Sequence, residues 1–427
     1  MKRQAEGSSP KQKEGESVMR ILFVLDSVEA PAAANPRLGR RLAAALAQIG
    51  HSVTVLELWD GAHTPPETPG CRAVLLPFSD EAAMEAALEH GAAHGSPLPL
   101  RLARLAARPA AAAAAFRQFA LKQPRRVTAT RRKIEELDRE TPFDAVCAVA
   151  APYRAAFALE GAAIAGRKLL WQMDPYAANT SYRAPGGYER ERALLTAMDH
   201  VWITEQATPD FAPGGPLAAL AGKAQVLAFP NLVPSAAVAE VDVRRCVFCG
   251  TLYPGLREPG ALLQLFQAVG GDWTLTMAGG GWAAFGRERA AAEAALGGRF
   301  TVLGPVAPAE AARLEASAGV LVSIGNQAAN QLPSKLYEYI AAGKPLLHLA
   351  AGPDDAALGL LRRWPLALAL DPGAPDAADT LRAWLEKNAG RTLPFSEAAA
   401  RFPENTPAAV AETFVQSVAA LCANAKA

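Results

Sequence analysis

The sequence predicts an α/β protein built from two doubly wound halves, and two observations carry that reading. Short apolar runs of strand length alternate with helical stretches along most of the chain, the pattern of a parallel sheet covered by helices. The alternation then starts afresh after a Pro-containing, weakly patterned segment at 230–242. A length of 427 residues suits two ordinary domains. With 51% hydrophobic and 20% charged residues, the chain can fill two cores and is too apolar to be disordered.

Taken in order, residues 1–18 are polar and aperiodic and read as a disordered lead-in without the apolar stretch of a signal peptide. Met19-Arg20 opens ILFVLD, a strand ending at Asp26. From Asn35 to Gly50, the residues Leu38, Leu42, Ala45, Leu46 and Ile49 recur at helical spacing, and HSVTVLEL follows as the next strand. Such a βαβ unit demands a parallel sheet with its ligand edge at the strands' C-terminal ends. CRAVLLP (71–77), FDAVCAVA (143–150), RKLLWQM (167–173), HVWITE (200–205) and AQVLAFP (224–230) continue the first series. RCVFCG, DWTLTMAGGG, RFTVLG, GVLVS, KPLLHL and PLALAL make the second. The tail carries Val410, Phe414, Val418 and Leu421 with no strand after it and reads as a closing helix. The expected organisation is a first domain over 19–231, a hinge at 232–242, a second domain over 243–403 and the closing segment 404–427.

Charge excludes some functions. Lys+Arg 43 against Asp+Glu 42 leaves +1, so the whole chain is no polyelectrolyte binder. No run reaches the eighteen or so apolar residues of a membrane span. Five scattered cysteines fit a reducing cytosol rather than a disulfide framework. The near-neutral total hides a polarised molecule, because His90 to Ile134 holds ten basic residues and no acid. Over 98–133 these charges interleave with Leu98, Leu100, Leu102, Leu105, Phe116, Phe119 and Leu121, a composition suited to an anionic membrane surface. The other reading is a solvated helix face whose acidic partners lie elsewhere in the fold. Sparse aromatics disfavour nucleic acid.

The stretch richest in chemistry runs from Asn330 to Pro345 (NQLPSKLYEYIAAGKP). Leu336 and Ile340 point to the core, Gly343 ends the helix, and Ser334, Lys335 and Glu338 are expected as one stripe. Ser and Lys in a first turn with free backbone N–H groups can cradle an anion, and a carboxylate one turn on can accept two ribose hydroxyls. The alternative is a plain helix start, with Ser334 as N-cap and an exposed Lys–Glu pair.

This stretch resembles the motif of retaining GT-B glycosyltransferases of the family 4 type, in the P-S-K-L-Y-E-Y-x-A-A-G-K-P form of bacterial polysaccharide enzymes. Phe248-Cys-Gly-Thr-Leu-Tyr-Pro-Gly-Leu-Arg257, Leu275-Thr-Met-Ala-Gly-Gly-Gly281, Phe229-Pro-Asn231-Leu-Val-Pro and the opening Met19-Arg-Ile-Leu-Phe-Val are similar to other parts of that family. The resemblance implies the GT-B architecture, two Rossmann-like domains facing across a cleft. It also implies a nucleotide-sugar donor (UDP- or GDP-linked), no cofactor and no metal ligands. In it Glu338 holds the ribose, a contact of roughly 1.5–3 kcal/mol. Arg257 and Lys335, with the Ser334 amide, neutralise the diphosphate, and Pro333 is a further donor-binding position. Gly250, Thr251 and Gly279, Gly280 and Gly281 let the backbone approach the nucleotide. The sequence departs from the family in two places. Asn330 stands where a Glu usually meets the donor sugar, eight residues before Glu338, and Asp26-Ser-Val-Glu-Ala-Pro replaces the glycine pair after the first strand.

In the first half, Trp171-Gln-Met-Asp174-Pro-Tyr176 follows a strand's C-terminal end. Asp174 is the candidate for orienting an acceptor hydroxyl, with a turn-capping Asp as the alternative. Cys246-x-x-Cys249 is read with both thiols on one face of a strand, and without a second pair it argues against zinc. The six histidines form no ligand pattern, and Gly279-Gly-Gly281 lacks the dinucleotide fingerprint of a dehydrogenase. The expected function is transfer of a sugar to a glycan or lipid-linked acceptor by a cytoplasmic protein, peripheral at the inner face of the membrane. The alternatives are a non-catalytic GT-B relic in an assembly complex, motivated by Asn330, and a nucleotide-sugar epimerase.

Overall fold

The structure is a computed structural model; it describes residues 17–28, 34–61, 66–78, 125–178, 184, 186–235, 237, 239–327 and 331–423. Strands β1 (Arg20–Asp26), β2 (Ser52–Trp59), β3 (Arg72–Pro77), β4 (Ala145–Ala150), β5 (Arg167–Gln172), β6 (His200–Ile203) and β7 (Ala224–Val226) form one sheet. Its order is β3-β2-β1-β4-β5-β6-β7, and every pairing is parallel. Strands β8 (Asp242–Cys249), β9 (Thr274–Ala278), β10 (Phe300–Gly304), β11 (Ala318–Ile324), β12 (Leu346–Leu349) and β13 (Ala367–Leu370) form a second parallel sheet, ordered β10-β9-β8-β11-β12-β13. Both orders reverse once, between β1 and β4 and between β8 and β11. At such a reversal the loops diverge and leave a crevice beyond the strands' C-terminal ends.

The helices that position the site are α1 (Ala34–Gln48), α2 (Arg125–Glu140), α3 (Arg154–Glu160), α4 (Gly187–Thr196), α5 (Gly260–Val269), α6 (Pro308–Ser317), α7 (Lys335–Ala341) and α8 (Pro407–Ala423). The central strands β1, β4 and β11 are apolar on both faces because helices cover both. Leu22 and Val24 of β1 enter one core, and Ile21, Phe23 and Leu25 enter the other. The same period of two corrects the reading of the cysteine pair. Cys246 and Cys249 are three apart on β8 and lie in the cores on opposite faces of the second sheet, so they cannot share an ion. All five cysteines are free.

The chain crosses from the first sheet to the second after β7, and that passage begins anchored. Asn231 is fully buried, and Leu232 N–H donates to the Asn405 carbonyl at 3.1 Å. Asn405 in turn donates from Nδ2 to the Phe229 carbonyl at 3.2 Å. Past Asn405, α8 returns to the first half, where Phe414 stacks on Trp202 at 4.4 Å between ring centroids and meets Phe23 at 5.6 Å.

The basic segment is described only from residue 125 onward; residues 98–124 of it lie outside the described residues. On α2 the charge of the segment is divided, with Arg125 and Arg132 exposed and Arg126, Arg131 and Lys133 at least partly turned inward. Arg126 is fully buried, Arg131 donates to the carbonyls of Phe157 and Ala158, and Lys133 pairs with Glu136 at 2.7 Å.

Candidate functional site

At the reversal of the second sheet, β8 runs into Gly250-Thr251 and then folds back in a tight turn. Tyr253 and Arg257 exchange backbone hydrogen bonds of 2.9 and 2.8 Å, and Gly255 sits at φ +71°, a conformation glycine adopts without strain. The turn brings the Arg257 guanidinium back over the strand ends. Its Nε and Nη2 donate to Asn326 Oδ1 at 3.1 and 2.8 Å, and Nη1 donates to the Thr251 carbonyl at 3.2 Å. Asn326, just past the end of β11, donates on to the Gln331 carbonyl at 3.0 Å. Burial pushes the guanidinium pKa down, and among the described residues no carboxylate pairs with it. A desolvated cation held by neutral dipoles is suited to an anionic ligand.

The glycine loop after β9 packs on the same turn. A Cβ at Gly279 would meet the Gly250 carbonyl oxygen at 1.8 Å, and one at Gly281 the Leu252 oxygen at 2.1 Å. These two glycines are therefore required by loop-on-loop contact, a reason different from the expected approach to a nucleotide. Gly280 has space.

Helix α7 is pinned to the second half by Leu336, Tyr339, Ile340 and Ala341, all buried. The Tyr339 hydroxyl accepts from Cys249 N–H at 3.2 Å, and burial drives that phenol pKa upward. Ser334 makes no side-chain cap; its carbonyl instead accepts from Asn231 Nδ2. The expected stripe of Ser334, Lys335 and Glu338 divides. Lys335 Nζ pairs with Glu315 of α6 at 2.7 Å. Glu338 points toward α1 of the first half, where Arg37 Nη1 lies 2.9 Å and Arg41 Nη1 3.0 Å from its Oε1. Positions three apart stand only about 60° apart around a helix, so the divergence comes from the partner each long side chain reaches. Glu338 is thus at the junction of the halves, and Lys335 and Arg257 share no partner. Pro333 lies half-buried before the helix, and Asn330 falls outside the described residues.

Beside Asn326 lies a pocket of about 270 Å³ lined by Asn326, Gln327, Ala351, Gly352, Pro353, Asp354 and Asp355. Its floor is fixed by Asp355, which accepts from Ala351 N–H and Ala357 N–H at 2.8 Å and lies 3.1 Å from His348 Nε2. Burial tends to raise the Asp355 carboxyl pKa, but the His348 contact and the backbone donors outweigh it and hold the carboxyl below its ordinary value.

On the first half, Asp174 follows β5 and its Oδ2 accepts from Asn35 Nδ2 of α1 at 2.8 Å. Burial raises its pKa, partly opposed by that bond. The loop around it is held by two groups. The Tyr153 hydroxyl donates to the Asp174 carbonyl at 2.6 Å. The fully buried Glu191 of α4 accepts from the N–H groups of Tyr176 and Ala177 at 3.0 Å. Asn35, Arg37, Arg41, Glu191, Asn326 and Glu315 were not identifiable as site residues from the sequence. Their only signal was two arginines one turn apart beside an Asn at a helix start. Among the described residues no three His, Cys, Asp or Glu side chains gather as a metal site requires. No helix among them is long and apolar enough to cross a membrane.

No family model matches the chain, and no curated protein matches it in sequence. Solved structures do match in fold. The chain is similar to AviGT4, a glycosyltransferase of avilamycin A biosynthesis, with TM-score 0.56, 14% identity and coverage of 95% of this chain and 98% of that one. It is similar to Anabaena HepE in complex with UDP and glucose (TM-score 0.57, 11% identity, 94% and 100% covered). A third match is the sucrose-phosphate synthase of Thermosynechococcus elongatus (TM-score 0.55, 14% identity, 95% and 97% covered). Likeness over nearly the whole of both chains gives this protein the GT-B architecture of two Rossmann-like halves.

Proposed function

We propose that the protein is a glycosyltransferase that takes a nucleotide-sugar donor at the C-terminal edge of its second sheet and passes the sugar to an acceptor held by the first. The observation that carries this reading is Arg257. Its partly desolvated guanidinium, with only neutral partners among the described residues, stands at the sheet reversal where a phosphorylated ligand is expected. Glu338, aimed at the junction, supplies acceptor oxygens for the ribose. The donor is a UDP- or GDP-sugar, in line with the UDP complexes of HepE. Lys335 would join the diphosphate only by leaving Glu315, so Arg257 has the larger share in neutralising it.

In the transfer, the bond from the sugar's anomeric carbon to the diphosphate oxygen breaks, and charge grows on that oxygen. Arg257 stabilises the growing charge more strongly than the ground state. The acceptor hydroxyl, oriented by Asp174, forms the new bond and releases its proton to the departing phosphate on the same face, with retention and without a metal. The acceptor is a glycan or lipid-linked, met at the inner face of a membrane, where the basic residues of 98–133 dock the first half.

Melting-temperature shifts of the full chain with UDP-, GDP- and ADP-sugars, followed by assay of donor hydrolysis, test the reading. One donor family is expected to raise the melting temperature. Arg257→Ala is expected to weaken that donor about tenfold to a hundredfold, the range of a lost charged hydrogen bond. No shift with any donor, or an unchanged affinity in the variant, would sink the assignment. Binding without hydrolysis or transfer would instead mark a non-catalytic relic.

A further inference from the structure

We infer that Arg37 and Arg41 of α1 are the first half's share of the diphosphate site, and that Glu338 holds them in place until a nucleoside diphosphate takes over their charge. The inference rests on the reading of Glu338 and Arg257 just given and adds the residues that complete the site across the junction.

Charge at the junction does not balance. Arg37 and Arg41 are one helical turn apart, so their guanidinium groups repel, and among the described residues one carboxylate serves both. The first turn of α1 carries no acid of its own, and the Asp174 carboxylate beside it is engaged by the Asn35 side chain. Arg37 Nε is buried with no partner among the described residues. Burial and the neighbouring Arg37 pull the Arg41 pKa down while Glu338 pulls it up, with a net lowering. One negative charge against two cations leaves room for a more highly charged anion.

Glu338 is also nearly saturated. Its Oε1 takes both arginines, and its Oε2 takes Arg37 Nη1 at 3.2 Å, leaving few of a carboxylate's roughly four acceptor positions. Ribose hydroxyls can bind there only by displacing guanidinium groups. A nucleoside diphosphate makes the exchange complete: its hydroxyls donate to Glu338, and its phosphate oxygens accept from Arg37 and Arg41. A nucleoside alone would leave two neighbouring cations without their shared carboxylate. The pair therefore selects for the diphosphate and draws α1, with Asn35 and Asp174 behind it, onto the donor.

Calorimetry on the full chain with UDP, GDP, ADP, the corresponding nucleosides and inorganic pyrophosphate tests this. The Arg37→Gln, Arg41→Gln double variant is expected to lose about tenfold or more in affinity for the preferred diphosphate. Its affinity for the nucleoside should rise rather than fall, because the ribose no longer has to displace two guanidinium groups from Glu338. Glu338→Gln, which frees the arginines, is expected to bind inorganic pyrophosphate about fivefold tighter or more, a fraction of a charged hydrogen bond. Opposite changes in the two variants cannot come from loss of folding. Unchanged diphosphate affinity in the double variant, or no gain of pyrophosphate in Glu338→Gln, overturns the arginine assignment alone. A wild-type protein that binds none of the three diphosphates overturns it together with the donor reading.

Discussion

Lys344, between α7 and β12, is buried with its ammonium donating to the carbonyls of Ala316 and Ala318 at 2.7 and 2.6 Å. With burial against it and no carboxylate pairing with it among the described residues, its pKa is lowered to about 8. An unfolded lysine titrates near 10.4, so between about 8 and 10.4 the unfolded chain holds more protons and this residue's contribution to stability rises with pH. Lys344→Met should remove that slope. Urea midpoints of the two proteins from pH 7 to 10.5 measure it, and a gap between them that does not change with pH would contradict the assignment. At this scale some residues were legible in the sequence and others were not. Arg257 was legible only through the family resemblance of Phe248 to Arg257, and Glu338 through its spacing from Ser334 and Lys335 in a helix start. Their partners were not, because Glu338 and Arg37 are 301 positions apart and Arg257 and Asn326 are 69 apart. Local pattern carries no information about which distant side chain answers a charge.

The thirteen strands among the described residues were foreseen at the level of elements, because central strands buried on both faces are apolar throughout and even the exposed edge strands β3 and β10 keep short apolar runs. What misled was orientation within an element. Cys246 and Cys249 face apart, and Lys335 and Glu338 leave one helix in different directions. Gly279 and Gly281 are explained by a neighbouring loop. The basic segment shows the same limit, since composition alone did not tell that Arg126 and Arg131 turn into the fold. The docking role proposed for 98–133 is tested at Arg101, Arg104, Arg108, Arg117 and Lys122, which precede α2. Replacing these five by Gln should reduce sedimentation with vesicles of anionic lipid by about tenfold or more in dilute salt, at about 1 kcal/mol per charge near the surface. Binding by the variant equal to wild type, or unmoved by added salt, would remove the membrane from the account.

For the whole molecule, α8 is the element that matters most to integrity. Phe414 is fully buried between Trp202 and Phe23, and Phe414→Ala should cost about 3–5 kcal/mol, as for other large core truncations. Hydrogen exchange is the informative readout: amides of β1 and β6 should lose protection, whereas those of β11 and β12 should not. Equal loss in both sheets would mean the halves unfold as one unit. The same return of the chain bears on biosynthesis. The first half is translated first, yet the side chains that seal one face of its sheet follow the whole second half in the chain. Until they emerge Phe23 and Trp202 stay uncovered, so a truncated or stalled product should be trapped by holdase chaperones through its N-terminal portion, while the uninterrupted second half has already closed.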